Sequence, residues 1–205
     1  MNASLPMDDL PPGLADPQGG AQAVFRALLT ALSRPAAAVP CPAVAPDVPG
    51  LAPAAAALLL ALTDPETPVW WEGADASAWL RFHSGAPVAQ RRGAAVFALV
   101  VEPAALGRAG GRLADFALGT DASPERSTTL IVQLPALDGG QPMRASGPGL
   151  AAPVMLAPAG LPDGFWAQWA DNHARFPSGV DLVLVAGDAI VGLPRTTRVS
   201  PADGG

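Results

Sequence analysis

Apolar residues recur along this chain in two rhythms, and each predicts a different element. Ala21, Val24, Phe25, Leu28, Leu29 and Leu32 fall at helical spacing. Asp16-Pro17 ahead of them supplies an N-cap acid and a proline at the first helical position, and Pro35 stops the run. An amphipathic helix follows from that pattern. Residues 53–62, opened by Pro53, are apolar nearly all round and predict a helix buried on several sides. The Pro/Ala-rich stretch 36–50 between them reads as extended. Asp64-Pro65 predicts a turn and Val69–Trp71 a short strand. Residues 75–84 then predict a short helix, with Asp75 as its N-cap and Gly85 just past its end.

The second half is richer in continuous apolar runs. Ala94–Val101 and Thr128–Leu134 each predict a buried strand, and residues 143–150 a weaker one closing at Gly-Pro-Gly. Leu161–Arg175 predicts a helix with Phe165, Trp166 and Trp169 on one side. Val180–Ala186 and Ala189–Leu193 predict strands joined by Gly187-Asp188, a two-residue hairpin signal. One antiparallel pair, with strands and helices alternating elsewhere, predicts a layered α/β/α domain with a mixed sheet. Residues 1–15 read as a flexible lead-in, 16–200 as a single domain and 201–205 as a tail.

Charge removes several classes of function. The net charge is -6 and no basic run exceeds Arg91-Arg92, so the dense cationic stripe that nucleic acid requires is missing. The longest apolar run, Ala54–Leu62, is about half of a bilayer span. The first twelve residues carry acid in place of base and lack a long apolar core, unlike a signal peptide, which points to the cytoplasm. Apolar residues are 50% and charged residues 15% of the chain, so much of its surface should be buried, in a core or against a partner.

Absent residue types sharpen the picture. All 12 basic residues are arginine; there is no lysine. A pyridoxal-phosphate Schiff base and a Walker-type phosphate loop both need a lysine amine, so both are excluded. The single cysteine, Cys41, sits between two prolines with no base or cation beside it and reads as an inert buried thiol. With one cysteine and two distant histidines, a structural zinc site does not fit, and no acidic cluster points to magnesium. The glycines of residues 105–120 do not follow a strand and open a helix, so they make no nucleotide motif.

Two segments concentrate cations and hydrogen-bonding side chains. The first is "RFH", with Arg81 and His83. On a helix these two point to different sides, and His83 falls in a last turn where the helix dipole favours a cation; on an extended segment they would share a face. The second is "RTTR", with Arg195, Thr196, Thr197 and Arg198, suited to a phosphate or carboxylate or else to ordinary surface ion pairs. His173 has the same helix-end reading as His83. No nucleophile, base or metal in a workable group emerges, so no catalytic residue is assigned.

Five stretches in order, "DPQGGAQAVFRALLTALSRP", "ALTDPETPVWW", "LRFHSGAP", "FALGTDASPERSTTLIVQL" and "GVDLVLVAGDAIVGLPRTTRV", closely resemble the H subunits of carbon–phosphorus lyase systems, the PhnH family. The resemblance spans roughly residues 14–199, with Ala36 standing where the family often has glycine. It implies a role in bacterial use of phosphonates, working with the G, I and L subunits to make α-D-ribose 1-methylphosphonate 5-triphosphate, a reaction in which methylphosphonate displaces adenine from ATP. It also implies membership of an assembly with the G, I, J and K subunits, a tendency to form homodimers, and the fold of pyridoxal-phosphate-dependent transferases without the cofactor. Two readings follow. One is an accessory, non-catalytic subunit without a cofactor, in which "RFH" and "RTTR" are structural or interfacial. The other is a homodimer in which Arg81, His83, Arg195 and Arg198 line a pocket for phosphate or phosphonate and contribute to an active site.

Overall fold

A computed structural model describes residues 10–42, 47–72 and 76–202. In chain order the elements are α1 (Pro17–Ser33), β1 (Ala38–Pro40), α2 (Pro53–Leu62), β2 (Val69–Glu72), α3 (Ser77–Ser84), β3 (Phe97–Val100), β4 (Leu118–Thr120), β5 (Ser123–Ser127), β6 (Thr129–Gln133), β7 (Ala136–Ser146), β8 (Val154–Ala159), α4 (Phe165–Ala174), β9 (Asp181–Ala186), β10 (Ala189–Leu193) and β11 (Arg198–Pro201).

The main sheet has six strands in the order β1-β10-β9-β6-β3-β2. The four strands from β9 to β2 run parallel, while β10 and β1 are antiparallel additions at one side. The sheet is therefore mixed, and β9–β10 is the hairpin that Gly187-Asp188 signals, with Ala186 paired to Ala189. Side chains alternate between two cores, as strand geometry requires. Leu99, Ile131, Val183, Val185 and Ile190 face a core built with α1, α2 and α3. Ala98, Val100, Leu130, Val132, Leu182, Leu184, Val191 and Leu193 face the other, built with Phe165 and Trp169 of α4, Met143, Ala145, Leu156 and Val199. Those last four belong to a second, antiparallel sheet of order β11-β7-β8. The expected helical layer is thus present on one face, whereas the opposite face is covered by one helix and a small sheet.

Local chemistry sets the helix ends. Asp16 caps α1 by accepting a hydrogen bond from the Gly19 amide at 3.0 Å. α2 has no side-chain cap of its own; Gln133, at the end of central strand β6, accepts from the Ala52 amide at 2.7 Å through Oε1 and donates to the Gly50 carbonyl at 3.2 Å through Nε2. α1 lies directly on β10 because Gly192 has no side chain: a Cβ there would stand 2.6 Å from the Ala31 carbonyl.

Several boundaries differ from the sequence reading. α3 begins at Ser77 after Ala76, which makes no side-chain capping bond, and the expected cap Asp75 lies outside the described residues. α3 does end at Gly85, whose φ of 73° is left-handed. α4 begins only at Phe165, because Gly164 adopts a φ of 75° and breaks the run from Leu161. β3 starts at Phe97, since residues 92–94 wind into a 3-10 turn. β7 starts well before residue 143; its Asp138-Gly139-Gly140 looks like a turn but is a register irregularity inside the β7–β8 pairing. The far end of the lead-in is held: Leu10 packs against the helical core.

Candidate functional site

Both histidines belong to the same local device. Trp79 and His83 on α3 are four residues apart, as are Trp169 and His173 on α4. Residues at that spacing share a helix face. In each helix the tryptophan is buried, 1% exposed for Trp79 and 0% for Trp169, with its indole N–H turned to a carbonyl of a passing segment. On α4, Trp169 Nε1 donates to the Thr197 carbonyl at 2.9 Å and His173 Nδ1 donates to the Arg195 carbonyl at 2.9 Å. On α3, Trp79 Nε1 donates to the Pro12 carbonyl at 3.3 Å and His83 Nε2 donates to the Pro11 carbonyl at 2.9 Å. A carbonyl only accepts, so in each case the partner fixes which imidazole nitrogen carries the proton.

The segment held by α4 is "RTTR", and its first arginine is fully engaged. Arg195 Nε donates to Asp181 Oδ1 at 3.1 Å, and Nη1 to the Pro124 and Pro177 carbonyls at 2.9 and 3.3 Å. Nη2 donates to Ser127 Oγ and Asp181 Oδ2. All five guanidinium N–H positions are therefore occupied by the protein. The Arg195 backbone amide also donates to Asp181 Oδ1, at 2.7 Å. With its side chain 12% exposed, Arg195 ties β5, β9 and the turn after α4 together. Thr197 is 0% exposed, and its hydroxyl oxygen has no hydrogen-bond partner among the described residues. Thr196 is half-buried, and Arg198 stands exposed on β11 opposite Ser146.

"RFH" sits elsewhere. Its helix packs into the core on the other face of the main sheet, through Trp79 and Leu80. Arg81, Phe82 and His83 are exposed. The His83 ring makes edge contacts with Trp79 and Phe82, at centroid distances of 5.6 and 5.0 Å. Neither Arg81 nor Arg198 forms a side-chain hydrogen bond or ion pair with a described residue, and no such contact joins the "RFH" segment to "RTTR". The two segments pack into different cores, α3 through Trp79 and Leu80 on one face of the main sheet and "RTTR" through its neighbours Leu193 and Val199 on the other.

Cys41 is 2% exposed, and burial, with the Asp188 carboxylate adding to it, pushes its thiol up to about 11. It is protonated and unreactive at neutral pH, as its proline-flanked setting suggests. The sequence reading missed a second arginine site. Arg92 lies 4.2 Å over the Trp70 ring and 5.7 Å from Phe116, pairs with Glu72 at 3.6 Å, and donates to the Gly110 carbonyl. The stretch "VWWE" carries that signal in an acid two residues after a tryptophan on one strand face, but nothing local ties it to Arg92. The repeated Trp-x-x-x-His spacing was legible, and is the better sequence clue to what the histidines do.

The comparisons with known proteins come down on one family. The profile described as "Bacterial phosphonate metabolism protein (PhnH)" matches residues 12–200. The "Alpha-D-ribose 1-methylphosphonate 5-triphosphate synthase subunit PhnH" of Rhizobium meliloti (strain 1021) is 44% identical over 197 residues, covering 90% of this chain and 92% of that one. The "Putative C-P lyase subunit protein HtxG" of Stutzerimonas stutzeri is 36% identical over 83 residues, 40% of this chain and 43% of that one. A match running from the lead-in carbonyl held by α3 to the strand beyond "RTTR" covers nearly every element described above, and this chain belongs to the PhnH family of bacterial phosphonate metabolism proteins.

Proposed function

We propose that this chain is an accessory, non-catalytic subunit of a carbon–phosphorus lyase system, supporting synthesis of α-D-ribose 1-methylphosphonate 5-triphosphate from ATP and methylphosphonate. The relative that matches over nearly its whole length bears the name of a subunit of that synthase. The observation that carries the reading is the saturation of Arg195: the most anion-like site in the sequence spends all five donors on the chain itself. Holding a phosphonate there would first cost the bonds to Asp181, Ser127 and two carbonyls.

Under this reading the chain works in the cytoplasm as a homodimer and with the G, I, J, K and L subunits. Large exposed apolar side chains support a buried assembly surface: Phe25, Leu29, Met155 and Phe176 are each between 46% and 59% exposed. We also propose the fold of pyridoxal-phosphate-dependent transferases without the cofactor. The largely parallel sheet with an antiparallel side supports it, and a chain without lysine has no amine to hold the aldehyde.

The test is co-purification. The tagged chain, expressed with its own G, I and J subunits, should elute from size exclusion as one stoichiometric complex in moderate salt. A chain that elutes by itself, while the other three assemble without it, overturns the subunit reading. The ligand-binding homodimer rests on the two unengaged arginines, Arg81 and Arg198. It predicts that Arg81→Ala or Arg198→Ala abolishes growth on methylphosphonate while leaving the complex intact.

A further inference from the structure

The α3 device holds a different kind of segment from the α4 device. Its guest is Leu10-Pro11-Pro12-Gly13. Prolines have no N–H, so such a segment is recognised through its carbonyls and ring faces alone, and its fixed φ lowers the entropy lost on binding. Trp79 and His83 supply what that recognition needs: two N–H donors to consecutive carbonyls, at 3.3 and 2.9 Å, projecting from an aromatic face that Phe82 extends. The fit continues at Gly13, where a Cβ would stand 2.9 Å from His83 Nδ1 and 3.2 Å from its Cε1. Leu10 anchors the other end against the helical core. Aromatic-lined grooves are a recurring way of binding proline-rich peptides.

We propose that Trp79, Phe82 and His83 form a binding cradle for an extended Pro-Pro-Gly segment, occupied in cis by residues 10–13 and able to take such a segment from another chain when its own is displaced. The α4 device is the internal control. There the held segment continues into strand β11 and is tied down by Arg195, so it cannot leave. Among the described residues the α3 guest has two hydrogen bonds, the Gly13 approach and the Leu10 packing, and α1 takes up the chain from Pro17. A segment held by so few contacts exchanges.

The experiment uses the full chain. Gly13→Val drives branched carbons into the His83 ring and should release the strap without touching the folded domain. A fluorescein-labelled peptide of residues 8–15 is then titrated by anisotropy. It should bind the G13V chain at least ten-fold more tightly than the unsubstituted chain, whose own segment competes. Adding His83→Ala or Trp79→Phe to G13V should weaken peptide binding several-fold, and a peptide with both prolines changed to alanine should bind more weakly still. Chymotryptic cleavage after Leu14 should accelerate in G13V and in His83→Ala. No peptide binding to G13V overturns the cradle. Equal binding to G13V and to G13V with His83→Ala overturns the role of the histidine. Unchanged cleavage after Leu14 overturns the cis strap.

Discussion

The two Trp-x-x-x-His helices use the same two side chains and reach opposite ends. On α4 they hold a segment that the rest of the molecule also holds: the "RTTR" backbone is bonded by Trp169 and His173, and its arginine spans β5, β9 and the turn at Pro177. On α3 they hold a segment whose other described contacts are the Leu10 packing and the close approach of Gly13 to His83. A donor pair on a helix face therefore does not decide whether its guest is architecture or a movable part. The number of other elements that grip the guest decides it, because each added grip must be lost in the same event for the segment to leave.

That difference can be broken from its strong side first. Arg195→Ala should cost about 3–5 kcal/mol, because Asp181 and two carbonyls are left without their cation in a mostly buried setting. Urea unfolding followed by tryptophan fluorescence measures it, and a loss below about 1 kcal/mol would mean that the cluster behaves as an ordinary surface pair. Trp169→Phe keeps the ring packing but orphans the buried Thr197 carbonyl, for a loss of about 2 kcal/mol in the same assay. Thr197→Val removes a buried hydroxyl that has no partner among the described residues and should raise stability by about 1 kcal/mol; a loss would reveal a bond to that oxygen. On the weak side, Trp79→Phe should cost under about 1 kcal/mol, its carbonyl partner being able to turn to water. Arg81→Ala should change stability by less than about 0.5 kcal/mol, since the side chain is exposed and engages no described residue. If Trp79→Phe proves as costly as Trp169→Phe, the two devices are equivalent and the contrast fails.

The sequence revealed these regions unequally. Elements with a strong period and a marked end were legible: α1 between Asp16 and Pro35, α2 behind Pro53, and the β9–β10 hairpin around Gly187-Asp188. What was hidden depends on long-range partners. β8 and β11 carry little pattern because each is stabilised by β7, and β7 carries Gly139-Gly140 inside a strand. Arg195 looked like a ligand site for a related reason. Its partners, Pro124, Ser127, Pro177 and Asp181, lie between 14 and 71 residues away along the chain, and no local window contains them. The helix-end reading of the histidines was correct in kind, but it did not extend to what their nitrogens hold.

Gln133 carries a different consequence, for which substitutions the chain can tolerate through evolution. Its amide is read at both ends, the oxygen accepting from the backbone at Ala52 and the nitrogen donating to the backbone at Gly50. Glutamate has nearly the same shape but only accepts, so it would set a negative oxygen against the Gly50 carbonyl. A glutamate at this one position would therefore loosen the tie between the approach to α2 and the centre of the sheet, leaving the bond from the Ala54 amide to the Gly187 carbonyl to hold the helix start.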